Sequence, residues 1–147
     1  MKEVLISEMT LSDLNEISNI LTTDFDDFWS KTTLESELKN PFSKYIVAKS
    51  ENEIVGFAGV IDTLDQLEIT NIVVKKKFRK KGIGNKLLQD LIKIAKEKGK
   101  IEITLEVNNI NLPAIKLYEK NGFKKVGYRR KYYNNTDDAN IMTLQLK

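Results

Sequence analysis

This chain of 147 residues has no cysteine and no histidine, only two prolines, seven glycines and a single tryptophan. Without cysteine there is no disulfide framework, no thiolate nucleophile and no cysteine-held metal. Without histidine the commonest general base and the commonest metal ligand are both missing. Ser-His-Asp and Cys-His hydrolases are therefore excluded. Any proton acceptor has to be a carboxylate, a lysine, a tyrosine or a relayed water, and no metal is expected. No apolar run approaches the ~18 residues of a membrane span. Glu3, Ser7 and Glu8 interrupt what would be the apolar stretch of an export signal. The expectation is a cytoplasmic protein that meets no membrane.

What is present is enough apolar sequence, 41% of the chain, for one core, and the length suits one domain spanning residues 1–147. The net charge is +3, but residues 75–81 alone hold six basic side chains and no acidic one, leaving 18 basic against 21 acidic elsewhere. The basic excess is thus concentrated at one place. Nucleic-acid binders more often spread it along a face.

That place is the most informative stretch of the sequence. Apolar Ile72-Val73-Val74 runs into Lys75-Lys76-Lys77-Phe78-Arg79-Lys80-Lys81-Gly82-Ile83-Gly84-Asn85, and an amphipathic pattern follows with Leu87, Leu88, Leu91, Ile92 and Ala95 on one side. A strand, a glycine-bearing basic loop and a helix start form an anion cradle. Glycines permit close approach and unusual φ values, and the first N–H groups of a helix favour negative charge. The expected ligand is a phosphate, and more specifically a pyrophosphate. Alone, the basic run reads equally well as a solvated turn; the Gly82-x-Gly84 spacing tilts it toward phosphate.

Elsewhere, Val4-Leu5-Ile6 reads as a strand, and Thr10 with Asp13 forms a capping-box pair that predicts a helix over 11–22. Thr32 with Glu35 repeats that signal for a second helix ended by Pro41. Residues 45–48 and 54–58 pair across a Ser50-Glu51-Asn52 turn, and 67–74 form a further strand. The helix after Gly84 stops at Gly99. Ile101, Ile103, Leu105 and Val107 alternate with Glu102, Thr104 and Glu106, predicting a strand with one apolar face. Asn111 caps a helix with Pro113 in its first turn, and Asn121-Gly122 ends it. Phe123 to Tyr128 and Ile141 to Leu146, joined through Asn134-Asn135-Thr136, are the last strands. The order β-α-α-β-β-β-α-β-α-β-β defines an α/β (α+β) domain on a mixed sheet.

This order, with Arg79-x-x-Gly82-x-Gly84 after the central strand, resembles the GNAT acetyltransferase superfamily over essentially the whole chain. Leu105-Glu106-Val107, Asn111 and Leu117-Tyr118-Glu119-Lys120-Asn121-Gly122-Phe123 are similar to the signature of its RimI branch. So are Tyr132-Tyr133 with Asp137-Asp138-Ala139 and Met142, and Asn40-Pro41-Phe42. The resemblance implies the acyl-CoA N-acyltransferase fold, acetyl-CoA as co-substrate, and a protein N-terminus as acceptor, a small-subunit ribosomal protein first. By position it makes Glu106 the general base and Tyr118 the general acid. Ile72, Val73 and Val74 hold the pantetheine arm. Arg79, Lys80, Lys81, Gly82, Ile83, Gly84 and Asn85 form the pyrophosphate loop, and Asn111 is a further acetyl-CoA contact. One departure stands out: after L-E-V the branch usually reads R-x-S-N, and here the residues are Asn108-Asn109-Ile110-Asn111. Acceptor recognition is where that difference falls.

The chemistry agrees with these assignments. A protein α-amine has a reference pKa of ~7.7–8.0, so roughly a tenth is already neutral near pH 7, against a few in ten thousand of a lysine amine. A carboxylate such as Glu106, acting directly or through water, is a sufficient base for the former. A phenol at Tyr118 can protonate the departing thiolate. A backbone N–H of Val73 or Val74 is the expected oxyanion donor. With no cysteine, attack is direct, in a ternary complex. Plainer readings stand beside these: Glu106 as a polar-face residue no more eligible than Glu102, Tyr118 as a half-buried helix tyrosine, Asn111 as a cap, and Phe28, Trp29, Tyr132 and Tyr133 as local packing rather than walls of an acceptor groove. The rival functions are a GNAT enzyme acting on a lysine, polyamine or other small amine, a nucleic-acid-binding module using residues 75–81, and a non-catalytic acyl-CoA sensor. The oligomeric state is not legible; a monomer suffices.

Overall fold

The computed structural model describes residues 3–25, 30–133 and 136–147, with backbone alone for 131–133. The positions of Phe28 and Trp29, the Asn134-Asn135 turn and the side chains of Tyr132 and Tyr133 lie outside the described residues. In chain order the elements are β1 (Val4–Glu8), α1 (Leu11–Ile17), α2 (Leu21–Asp24), α3 (Lys31–Lys39), β2 (Ser43–Ser50), β3 (Glu53–Asp62), β4 (Gln66–Val74), a 3₁₀ turn (Lys76–Phe78), α4 (Ile83–Glu97), β5 (Glu102–Asn108), α5 (Leu112–Lys120), β6 (Lys124–Tyr133) and β7 (Asp137–Gln145). The seven strands follow the order β1-β2-β3-β4-β5-β7-β6. Two compact units divide the chain, Met1–Asp62 with Thr70–Leu91, and Thr63–Ile69 with Ile92–Lys147.

In the first unit β1, β2 and β3 form an antiparallel meander, with Val4 opposite Ser50 and Tyr45 opposite Gly59. The β2–β3 hairpin turns on Glu51 and Asn52, both left-handed at φ 50 and 69, as a two-residue turn between twisted strands requires. The core gathers Leu14, Ile17, Leu21, Phe25, Leu34, Tyr45, Val47, Ile54, Phe57 and Val73. Burial among them holds the Tyr45 phenol above its ordinary pKa.

Two helix readings need correction. The expected helix over 11–22 breaks in two. Its capping box is present, Thr10 N–H to Asp13 Oδ2 at 2.9 Å and Asp13 N–H to Thr10 Oγ1 at 3.1 Å. At the far end, the Ser18 hydroxyl donates to the Asn15 carbonyl at 3.1 Å, an alternative partner that weakens the helical ladder. The chain restarts as the four-residue α2, one element more than the expected order. The second helix is capped by Ser30, which accepts from Thr33 N–H at 3.2 Å, not by Thr32. Glu35 instead pairs with Lys39 one turn on, at 3.1 Å.

In the second unit β4 and β5 run parallel, Gln66 opposite Glu102 through Ile69 opposite Leu105. β7 pairs antiparallel with β5 and with β6. The predicted alternation of β5 appears as buried Ile103, Leu105 and Val107 and partly exposed Glu102, Thr104 and Glu106. Ile101 departs from it at 43% exposed, because it precedes the strand. Asn111 caps α5 through Ala114 N–H at 3.3 Å, and Gly122 leaves the helix at φ 94.

Gly56 on β3 sets how closely β4 and the start of α4 can approach. A Cβ there would lie 2.9 Å from the Val73 carbonyl oxygen, with Leu87 and Ile83 side-chain carbons at 3.2 and 3.4 Å. Gly56→Ala should cost about 1–3 kcal/mol, as overpacked sites do, measured as a drop in urea midpoint at unchanged slope.

Two carboxyls record buried or paired charge. Burial opposes the ionised form of Asp13, but hydrogen bonds from Lys49 and Thr10 outweigh it and hold the carboxyl below its usual value. The Lys75 ammonium does the same for Glu53. A depressed folded pKa contributes stability that is complete above the unfolded value and lost as pH falls through the folded one. Lys49→Met should therefore lower stability at pH 7, and the gap from the parent protein should narrow progressively in denaturation curves taken at falling pH below the ordinary carboxyl value.

Candidate active site

The first group of expected site residues lies in the first unit, where β4 gives way to α4. Val73 is buried in the core, while Ile72 and Val74 are half-buried. After Val74 the chain turns. The backbone N–H of Lys75 donates to the Val55 carbonyl at 2.8 Å, and its ammonium meets Glu53 at 2.9 Å and Asp24 at 3.8 Å. Lys75 is only 9% exposed, and Lys77 also leans to Glu53, at 3.5 Å. The basic run is therefore not one uniform anion-binding surface: its first lysine is a strut. Sequence periodicity shows no sign of this, because both carboxylate partners are distant in the chain.

Past the 3₁₀ turn, Arg79 folds back and its Nε donates to the Val74 carbonyl at 3.0 Å. Lys80 and Gly82 then take left-handed backbone, φ 63 and 84. Alternating handedness of this kind turns successive N–H groups to one side, as in anion-binding nests. Gly82 accepts the first helical bond, from Lys86 N–H at 3.1 Å, and α4 follows for 15 residues. Ile83 is buried, fastening the first turn, and Gly84 and Asn85 are partly exposed beside it. Lys76, Arg79, Lys80 and Lys81 are exposed. A Cβ on Gly82 would have nothing within 4 Å, so the space before the loop is open. This cradle fits a pyrophosphate.

The second group lies in the second unit. Glu106 stands on the polar face of β5, and its carboxylate accepts from Arg129 Nε at 2.5 Å. Asn108, two residues on, faces the same way; its amide donates to Asp137 at 3.2 Å and its oxygen accepts from Ile110 N–H at 3.1 Å. Tyr118, on α5, is buried at 9% exposed, its ring 5.8 Å from that of Phe123. Asn111 begins the same helix and is exposed. The pairing of Arg129 with Glu106 has no counterpart in the sequence reading, because the two residues lie 23 positions apart. Among the described residues no group of His, Cys, Asp and Glu could hold a metal, and no helix is long and apolar enough to cross a membrane.

Gly82→Ala tests the cradle. The left-handed backbone costs a side-chain-bearing residue about 1–2 kcal/mol, and the added methyl projects into the ligand's space. The expected result is a weaker acetyl-CoA affinity, about tenfold or more by calorimetry, with fold retained by circular dichroism.

Comparison with known proteins identifies the family. Residues 14–123 match the acetyltransferase (GNAT) family. A Bacillus subtilis protein, provisionally named a ribosomal protein bS18-alanine N-acetyltransferase, is 33% identical over 139 residues, covering 93% of this chain and 92% of that one. The crystal structure of the ribosomal-protein-S18-alanine N-acetyltransferase from Escherichia coli is similar with a TM-score of 0.89 at 30% identity, over 99% of this chain and 95% of that one. A GNAT family acetyltransferase from Elizabethkingia anophelis, solved with acetyl-CoA bound, is similar with a TM-score of 0.78 at 26% identity, over 99% and 100% of the two chains.

Proposed function

The chain belongs to the GNAT acetyltransferase family and is an acetyl-CoA-dependent N-acetyltransferase; from that premise we propose that its acceptor is the N-terminal α-amine of a protein, a small-subunit ribosomal protein in the first instance. The observation that carries this reading is likeness along nearly the full length to the S18-alanine enzyme of Escherichia coli, in a chain that keeps Glu106, Tyr118 and Asn111 in the matching motif. Residues 1–147 are read as one catalytic domain acting in the cytoplasm, where acetyl-CoA and new protein N-termini are both present.

In the proposed mechanism the nest at Lys80–Gly82 and the start of α4 hold the pyrophosphate, with Arg79 and Lys81 beside it. Backbone of Ile72, Val73 and Val74 lies along the pantetheine arm, and Asn111 adds a contact. Glu106 takes a proton from the acceptor ammonium, directly or through water. The neutral nitrogen attacks the thioester carbonyl carbon, a C–N bond forms, the nitrogen sheds its second proton and the C–S bond breaks; that proton and the one on Glu106 pass to solvent. Tyr118 gives its proton to the leaving sulfur and regains one from solvent. The sum is one amide, one free thiol and one released proton. A backbone N–H at Val73 or Val74 stabilises the oxyanion.

A peptide beginning Ala-Arg-Tyr tests the reading, with thiol release followed in time. Turnover is expected, with kcat/KM reduced about 10²-fold or more in Glu106→Gln and in Tyr118→Phe, the range of general acid–base contributions. No turnover of the α-amine peptide by the parent enzyme would end the N-terminal assignment; full activity in either variant would end that residue's role.

A further inference from the structure

We propose that Arg129 is the positioning residue of this acetyltransferase: its guanidinium fixes the Glu106 carboxylate in the orientation that accepts the acceptor's proton. The inference rests on the reading of Glu106 as the base and adds a residue that the motif does not contain.

Strand pairing shows why Arg129 reaches Glu106. β7 lies between β5 and β6. Glu106 is opposite Ile141, and Ile141 is opposite Gly127; Asn108 is opposite Ala139, and Ala139 is opposite Arg129. Directly opposed residues in antiparallel strands point to the same side, so Glu106 and Arg129 share one face, one row apart. The arginine arm crosses β7 in the rows of Ala139 and Ile141. Ala139 is fully buried and short, and Gly127 has no side chain, so neither obstructs that path.

The shared face depends on one irregularity. On β6, Lys125 opposes Met142 but Gly127 opposes Ile141, so Val126 is an extra residue, and it is 64% exposed. One extra residue reverses which side every later side chain takes. Without the bulge Arg129 would point to the side of Leu105 and Met142, away from Glu106. The bulge aims the guanidinium.

The departure at position 108 completes the argument. The branch pattern carries arginine there, two residues from Glu106 on the same face. Here Asn108 is turned to Asp137 and to the Ile110 N–H. The cation bonded to Glu106 comes from β6. It holds Oε1, and in this proposal Oε2 is the oxygen that meets the acceptor or its water.

The test is a kinetic cycle with the Ala-Arg-Tyr peptide. Arg129→Met should lower kcat roughly 10-fold to 10²-fold, the scale of a misplaced catalytic group. KM for acetyl-CoA and the thermal midpoint should stay unchanged, and Arg129→Lys should recover most of the loss. Because Arg129 acts through Glu106, the double variant Glu106→Gln/Arg129→Met should be no slower than Glu106→Gln alone. If Arg129→Met is fully active, or the two losses multiply, the positioning role is overturned while the base stands. If Glu106→Gln itself keeps full activity, the reading of the base falls first and this proposal with it.

Discussion

The ammonium of Lys75 is the charge around which the proposed ligand loop is arranged. Taking it out of water is costly unless carboxylates meet it. Glu53 and Asp24 do so, at 2.9 and 3.8 Å, while the same residue's backbone joins β3 through the Val55 carbonyl. That strut ends β4 and turns the chain into the 3₁₀ turn. Arg79 then closes back on the Val74 carbonyl. Only after these ties does the backbone take the left-handed steps at Lys80 and Gly82 that open onto α4. The loop that faces the ligand is thus held from beneath by ordinary ion pairs and backbone bonds, and its remaining cations are free of structural duty only where the strut has made that possible: Lys76, Lys80 and Lys81 stand exposed.

The proposed acid and base are held differently, by regular elements. Glu106 sits mid-sheet, on the polar side of a strand whose other side is buried at Ile103, Leu105 and Val107. Tyr118 is buried on a helix capped at Asn111 and closed at Gly122. Groups on strands and helices keep their geometry better than groups on loops. The task they are given is modest, because a protein α-amine is partly neutral near pH 7. A lone carboxylate base is consistent with such an acceptor in a chain that has no histidine.

Much of this was legible in the sequence because it is local. The alternation of β5, the Asn111 cap with Pro113, the Thr10–Asp13 box and the glycines at 82 and 122 each state a short-range rule, and the structure keeps them. The general fold followed from their order. What the sequence hid is long-range. Lys75 is buried because of residues 22 and 51 positions away. Arg129 reaches Glu106 because of a bulge at Val126, which an exposed valine beside Gly127 hints at but does not specify. Ser30 outcompetes Thr32 as a cap although Thr32-x-x-Glu35 is the better pattern, and the 11–22 helix breaks where Ser18 finds a carbonyl of its own. These are contests between equally local signals or effects of pairing register, and spacing alone decides neither.

The central claim is the choice of amine. It is tested most directly with isotopically labelled acetyl-CoA and a single peptide that carries both a free N-terminal alanine and an internal lysine, the label being located by fragment-ion mass spectrometry. The account predicts label on the α-nitrogen, with the lysine unmodified through the first turnovers. Label confined to the lysine side chain would contradict it and make this chain a side-chain acetyltransferase.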